Sequence, residues 1–381
     1  MAKSRNELMI PIAKPVLTDD EKDAVRKVLD SGMIVQGPKT SEFEKHFSEK
    51  FGFKNSIAVN SGTAALHTAC YALGIKAGDE VITTPFSFVA TANSIMMQGG
   101  IPVFVDISED DFNIDADLIE EKITSKTKAV LIVNLFGQPC DIDKIKKICK
   151  DHNLRLIEDA CQSVGAKFKD IYSGNFGDIG CFSLYATKNI MCGEGGVITT
   201  NNPDWAELCK RFRHHGQSEM TRYQYLDIGY NYRLTDINAA IADEQLKKLD
   251  GFTKKRVHNA KLLSEGLKDI KGLVIPKVGK DRTHVFHQYT IRITKDFVMS
   301  REKFMEFLKK SGIGYSIFYP KPLHLFPHIG KFGYKKGDFP VAERVANEVL
   351  SLPCHPLITD DDIRFIVDKI KKLSGTKNNL K

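Results

Sequence analysis

From about residue 18 to residue 245 the chain alternates between two hydrophobic rhythms. Apolar residues three and four apart, such as Ala24, Val25, Val28 and Leu29, predict helices, while short unbroken apolar runs predict buried strands. Thr18-Asp-Asp-Glu21 forms a capping box ahead of the first helix, and Gly32 ends it. Strands are predicted at residues 56–60, 81–84, 102–106, 129–133, 154–159 and 196–200, with a helix from about Thr63 to Leu73 behind the first. This alternation is the signature of an α/β sandwich built on a mostly parallel sheet.

From Thr235 a long helical stretch, broken near Gly251, leads into a second region. Strands are expected there at 284–294 and 314–319, and helices near 301–310, 341–350 and 359–373. The division is therefore read as a larger domain over residues 1–250 and a smaller C-terminal α/β domain over 251–381. No repeat or low-complexity segment interrupts either, and the tail 374–381 reads as disordered.

At 381 residues the chain is long enough for two domains and a large core. Its net charge of +7 comes from basic residues interspersed with acidic ones. That pattern fits a solvated surface with some excess for an anionic small substrate such as a nucleotide diphosphate, and gives nucleic acid little weight. The eight cysteines include no C-x-x-C pair and mostly sit in apolar runs, which argues against a zinc site or disulfide framework and for reduced thiols; no metal is expected. No stretch approaches a membrane span and residues 1–15 hold no apolar signal core, so a cytoplasmic protein is expected.

Four places carry candidate chemistry. Lys188 lies in Ser183-Leu-Tyr-Ala-Thr-Lys-Asn189, with Gly193-Glu-Gly-Gly196 just after it, and Asp159 closes the apolar strand that precedes it by 29 positions. Ser61-Gly-Thr-Ala-Ala65 joins a strand to a helix start, where Gly62, Thr63 and Ala64 present amides to an anion. Thr63 and Ser183 add hydroxyl donors, and Phe88 lies just past the strand at 81–84. Taken singly, these are a surface lysine, a helix cap, a common turn and a core ring. Together they supply what pyridoxal phosphate (PLP) requires: an amine made nucleophilic in a water-poor site, a carboxylate for the pyridinium nitrogen, an anion cradle and a ring for the cofactor face. A dinucleotide site is not expected, because no G-x-G-x-x-G follows an early strand.

Asn60-Ser-Gly-Thr-Ala-Ala-Leu66, Thr84-Pro-Phe-Ser-Phe-Val-Ala-Thr91, Glu158-Asp-Ala-Cys-Gln162, Phe182-Ser-Leu-Tyr-Ala-Thr-Lys-Asn-Ile190 and Gly229-Tyr-Asn-Tyr-Arg233 resemble the DegT/StrS family of PLP-dependent sugar aminotransferases, over about residues 10–370. The resemblance implies PLP fold type I: a large domain with a mostly parallel sheet of the seven-stranded type, flanked by helices, plus a smaller C-terminal domain. It implies that Lys188 holds PLP as a Schiff base and that Asp159 protonates the ring nitrogen. It places Gln162 on the ring-oxygen side, Thr63, Ala64 and Ser183 at the phosphate and Phe88 over the face. Asn231 resembles the family residue that reaches the phosphate from a neighbouring subunit, which implies a homodimer with shared sites. His324 and Tyr185 would meet substrate, Tyr185 standing where many relatives carry histidine.

The implied reaction moves an amino group from an amino acid, usually glutamate, to a keto carbon of a nucleotide-linked keto-deoxysugar. The opening Ile10-Pro-Ile-Ala-Lys-Pro15 with Leu29-Asp-Ser-Gly-Met-Ile-Val-Gln-Gly37 is more similar to members that aminate C4. Three alternatives are weighed: amination at C3, a related deoxysugar dehydratase and a non-catalytic PLP-binding regulator. The dehydratases replace the Schiff-base lysine by histidine, so Lys188 argues for transamination. A regulator would have no need of the Lys188 and Asp159 pair, and the chain shows no helix-turn-helix segment.

Overall fold

The computed structural model describes residues 9–218 and 220–375. Strands β1 (Asn55–Val59), β2 (Glu80–Thr83), β3 (Ile101–Phe104), β4 (Thr127–Val133), β5 (Arg155–Asp159), β6 (Ile179–Ser183) and β7 (Gly196–Thr200) form one sheet in the order β1-β7-β6-β5-β4-β2-β3. Pairings from β6 through to β3 are parallel, and only β7 runs against both its neighbours.

Alternation along β4 shows how the sheet is buried. Ala129, Leu131 and Val133 point into one apolar cluster, while Val130 and Ile132 point into another on the opposite face. Helices therefore cover both sides, as an open parallel sheet requires. On the first side lie α3 (Gly62–Ala72), α4 (Ala90–Met97) and α6 (Pro203–Arg213); on the second lie α2 (Pro38–Phe51), α5 (Ile142–Asp151) and the long α7 (Asp236–Leu267).

Helix α2 escaped the sequence reading, and its start explains why. Its N-cap is Gly37, which offers no side chain; the cap arrives from Asp236, nearly two hundred residues away. The Asp236 carboxylate accepts from the N–H groups of Gly37 (2.8 Å), Lys39 (3.0 Å) and Thr40 (2.9 Å) and from the Thr40 hydroxyl (2.8 Å). By contrast, the helix α1 (Asp19–Ser31) has the capping box and the left-handed Gly32 that its sequence announces.

The expected break at Gly251 is absent, because α7 runs unbroken through it for 32 residues. Nothing lies within 4 Å of where a Gly251 side chain would begin, so the residue brings only its backbone entropy, about 1 kcal/mol. That is outweighed by packing at both ends: Ala239, Ala242, Leu246 and Leu249 belong to the first core, Ala260, Leu263 and Leu267 to the second.

The second core surrounds a three-stranded antiparallel sheet, β8 (Leu273–Val274), β9 (Tyr289–Ile293) and β10 (Val349–Leu352), in that order. Helices α8 (Arg301–Lys310) and α10 (Asp360–Ser374) pack on that core, while α9 (Pro340–Glu348) buries Ala342, Val345 and Ala346 in the cluster on the α3 face of the large sheet. The strand expected over 284–294 is confined to β9, since residues 284–288 form a loop with Phe286 at a φ of 46°. No strand forms at 314–319, where a single bridge joins Ser316 to Ser351. The helix expected at 341–350 gives way to β10 at Val349. The tail read as disordered lies, from residue 376, outside the described residues. Among the described residues no helix is long and apolar enough to cross a membrane.

Candidate active site

The carboxyl ends of β5 and β6 and the amino end of α3 converge. Strand β5 closes on Glu158 and Asp159, both buried, and the pleat sends their carboxylates to opposite faces. Glu158 accepts from the N–H groups of Gly174 (2.7 Å), Phe176 (2.5 Å) and Gly177 (2.9 Å), so it serves as an anchor for that loop. Burial pushes its carboxyl up to about 7, against the pull of those donors. Asp159 is held from both flanks: Oδ2 accepts from the Thr91 hydroxyl at 2.8 Å, and Oδ1 from the Cys161 N–H at 3.2 Å.

Lys188 sits in the tight return between β6 and β7, its N–H donating to the Tyr185 carbonyl at 2.8 Å. The return is pinned by Leu184 N–H to Gly195 O (2.8 Å), Ala186 N–H to Gly193 O (3.0 Å) and Cys192 N–H to Leu184 O (2.9 Å). Burial holds the Lys188 amine below the ordinary lysine pKa, against the opposing charges of Cys161 and Asp159. The amine makes no hydrogen bond among the described residues. A desolvated lysine without a fixed partner is the form in which an amine becomes nucleophilic near neutral pH.

The third component is the start of α3. Ser61 caps it, Oγ accepting from Ala64 N–H at 3.1 Å, and the leading amides of Gly62 and Thr63 face outward with the positive end of the helix dipole. Gly62 is required by space: a Cβ there would lie 2.9 Å from Ser183 Cβ and 3.0 Å from Cys161 Sγ. Gly196 has the same role behind the cap, since its Cβ would meet the Ser61 carbonyl at 2.5 Å. The missing side chains let β6, β7 and α3 close into a cradle with the Ser183 hydroxyl at its edge. Gly62→Ala is expected to weaken PLP binding about 10-fold and to destabilise the fold by about 1–3 kcal/mol through overpacking. Titration of the apo-protein with PLP and a thermal melt measure the two effects.

Of the remaining expected residues, Phe88 is 55% exposed and presents its ring to solvent, as a residue covering a bound ring would. Tyr185 is 47% exposed on the Lys188 return. Gln162 is buried and bridges two neighbours: Oε1 accepts from Phe136 N–H at 2.9 Å, and Nε2 donates to the Tyr319 hydroxyl at 3.1 Å. Asn231 is exposed on the ribbon that follows α6, its carbonyl accepting from Asn60 Nδ2 at 3.2 Å. His324 is fully buried, packs edge-on to Phe339 and has its Nε2 3.0 Å from Glu343, while its Nδ1 has no hydrogen-bond partner among the described residues.

Three site residues escaped the sequence reading: Thr91, Cys161 and Tyr319. Thr91 stands four positions after Ser87 across the start of α4, a spacing that brings their hydroxyls to 2.9 Å. Tyr319 comes from the second region of the chain, and its ring lies 6.4 Å from that of Phe88. Nothing in the local pattern announces it.

With the arrangement described, comparison with known proteins decides the class. Residues 15–371 match the DegT/DnrJ/EryC1/StrS aminotransferase family. The chain belongs to that family. Its mostly parallel, helix-flanked sheet is the fold type I architecture of these PLP-dependent enzymes. Among its relatives, uncharacterized protein MJ1066 of Methanocaldococcus jannaschii is 43% identical over 379 residues, covering 96% of this chain and 98% of that one. GDP-perosamine synthase of Caulobacter vibrioides is 37% identical over 361 residues, covering 94% and 96%. Among solved structures, DesV of S. venezuelae aligns with a TM-score of 0.90 at 32% identity, over 94% of this chain and 95% of that one.

Proposed function

We propose that this aminotransferase uses PLP to move an amino group from glutamate to the C4 keto carbon of a nucleotide-linked keto-deoxysugar. The observation that carries the reading is the convergence of an unpartnered, desolvated Lys188 amine and the doubly held Asp159 carboxylate on the cradle at the start of α3. GDP-perosamine synthase among the relatives supports a nucleotide-sugar acceptor, and the family match supports the reaction class.

When bound, PLP supplies an aldehyde for the amine and an electron sink for the charge left at the donor's Cα. The residues do the rest. Lys188 would hold the cofactor through its amine, and that amine, when free, would be the base that moves the donor's Cα proton. Asp159, oriented by donors on both of its oxygens, would face the ring nitrogen and favour a proton there. The amides of Gly62 and Thr63, with the hydroxyls of Thr63 and Ser183, would hold the phosphate, the Ala64 amide being engaged by the Ser61 cap. Phe88 covers the ring face and excludes water, and Gln162 and Tyr185 line the cofactor and substrate sides.

Assembly as a homodimer with shared sites is part of the same reading. The ribbon bearing Asn231 exposes Met220, Tyr223, Tyr225, Leu226 and Ile228, apolar surface that a second copy would cover. Residence in a reducing, cytoplasmic compartment is supported by the eight cysteines, all of them free. Glutamate should convert the PLP-loaded protein to its amine-bearing form. Screening that form against keto-sugar nucleotides should return the original spectrum only with the true acceptor. No spectral change with any amino acid donor would overturn the reading.

A further inference from the structure

Asp159 Oδ2 is held by the Thr91 hydroxyl, which in turn meets the hydroxyl of Ser87. We propose that Thr91 is a positioning residue for transamination, with Ser87 as the outer link. Through Thr91 the pair fix the direction of the Asp159 carboxylate that would face the ring nitrogen. The proposal rests on the PLP reading of this site.

The direction of the chain follows from proton counting. An ionised carboxylate only accepts, so the single proton of the Thr91 hydroxyl is committed to Asp159 Oδ2 at 2.8 Å. The Thr91 oxygen must then accept from Ser87, whose hydroxyl lies 2.9 Å away. Both hydroxyls are buried, Thr91 completely and Ser87 at 2% exposure, so water cannot readily replace either link. The other carboxylate oxygen, Oδ1, takes the Cys161 N–H at 3.2 Å.

Neither donor is charged, and that distinction matters. A salt bridge to Asp159 would favour the ionised form but cancel much of its field at the ring. Two neutral donors on opposite oxygens stabilise the anion and fix its plane while leaving its charge for the pyridinium. Ser87 is also the residue before Phe88, so the same chain ties the ring-covering loop to the carboxylate on the ring's edge.

A purely structural role would predict something different: hydroxyls that merely satisfy each other in a core, removable with loss of stability alone. Thr91→Val keeps the shape and removes the donor, and Thr91→Ser restores it. T91V is expected to bind PLP about 10-fold more weakly and to react with glutamate about 10- to 100-fold more slowly, the worth of one hydrogen bond to a charged group. The visible band of the bound cofactor should titrate at higher pH in T91V, because a ring nitrogen less firmly protonated no longer opposes a second proton nearby. T91S should return all three towards wild type, and Ser87→Ala should show a weaker version of the same shifts.

Wild-type PLP affinity, titration and half-reaction rate in T91V would overturn the proposal. So would a lowered melting temperature of apo-T91V with an unmoved titration of the loaded protein, which is the structural outcome. A wild-type protein that takes up no PLP would overturn the functional reading and this inference with it. Normal PLP uptake by the wild type beside an unchanged T91V would remove this inference only.

Discussion

Lys188→Ala is expected to abolish turnover, lowering the rate by at least about 10⁴-fold, the upper range for a positioned acid–base group, with loss of covalent attachment added. The fold should survive. The amine makes no hydrogen bond among the described residues, and burial holds it below its ordinary pKa, so its removal relieves an unfavourable desolvation. The sign is definite. In the window between the lowered folded pKa and the ordinary value near 10.5, the unfolded chain binds the proton that the folded one releases, and wild type gains stability as pH rises. The substitution removes that dependence, so at neutral pH the variant should melt no lower than wild type apart from the small packing loss. Absorbance after PLP addition, peptide mapping after borohydride treatment and a thermal melt make the check. A variant that still fixes cofactor to the 183–189 peptide, or turns over at the wild-type rate, refutes the assignment.

Asp159→Ala carries the second largest expected effect and separates binding from chemistry. The cradle at α3 and the Lys188 amine are left in place, so PLP should still be taken up. What is lost is the carboxylate that would face the ring nitrogen, and the glutamate half-reaction should slow by about 10²- to 10³-fold, as when one preorganised electrostatic group is removed from an active site. The Thr91 hydroxyl loses its acceptor at the same time and is left buried beside Ser87. Stopped-flow absorbance with glutamate measures the rate, and Asp159→Asn gives the isosteric comparison. An unchanged half-reaction in either variant would remove Asp159 from the ring nitrogen.

How legible these groups were in the sequence depended on how local their causes are. The capping box of α1, six of the seven strands of the large sheet and the helix behind Ser61-Gly-Thr are set by neighbours within a few positions and stand where the pattern placed them, while β6 went unread. Helix α2 is hidden because its cap comes from Asp236, and the break at Gly251 fails because two separate cores hold α7 straight. At the site the same division holds. Lys188, Asp159 and Gly62 could be named from motifs, whereas the use of Tyr319 beside Phe88 arises from a contact across the two regions, and the burial of His324 against Glu343 from one between positions 19 apart.

Most strands of the large sheet, the reaction class and the amine, carboxylate and glycine it needs could be read in the chain itself, since period, caps and short motifs act over a turn or a strand. Tertiary structure alone decided what surrounds them: which hydroxyl reaches Asp159, how far Lys188 is desolvated, and where Gln162 and His324 spend their hydrogen bonds. Desolvation and hydrogen-bond partnership depend on atoms brought together from distant positions, and no single stretch of sequence holds both sides of such a contact.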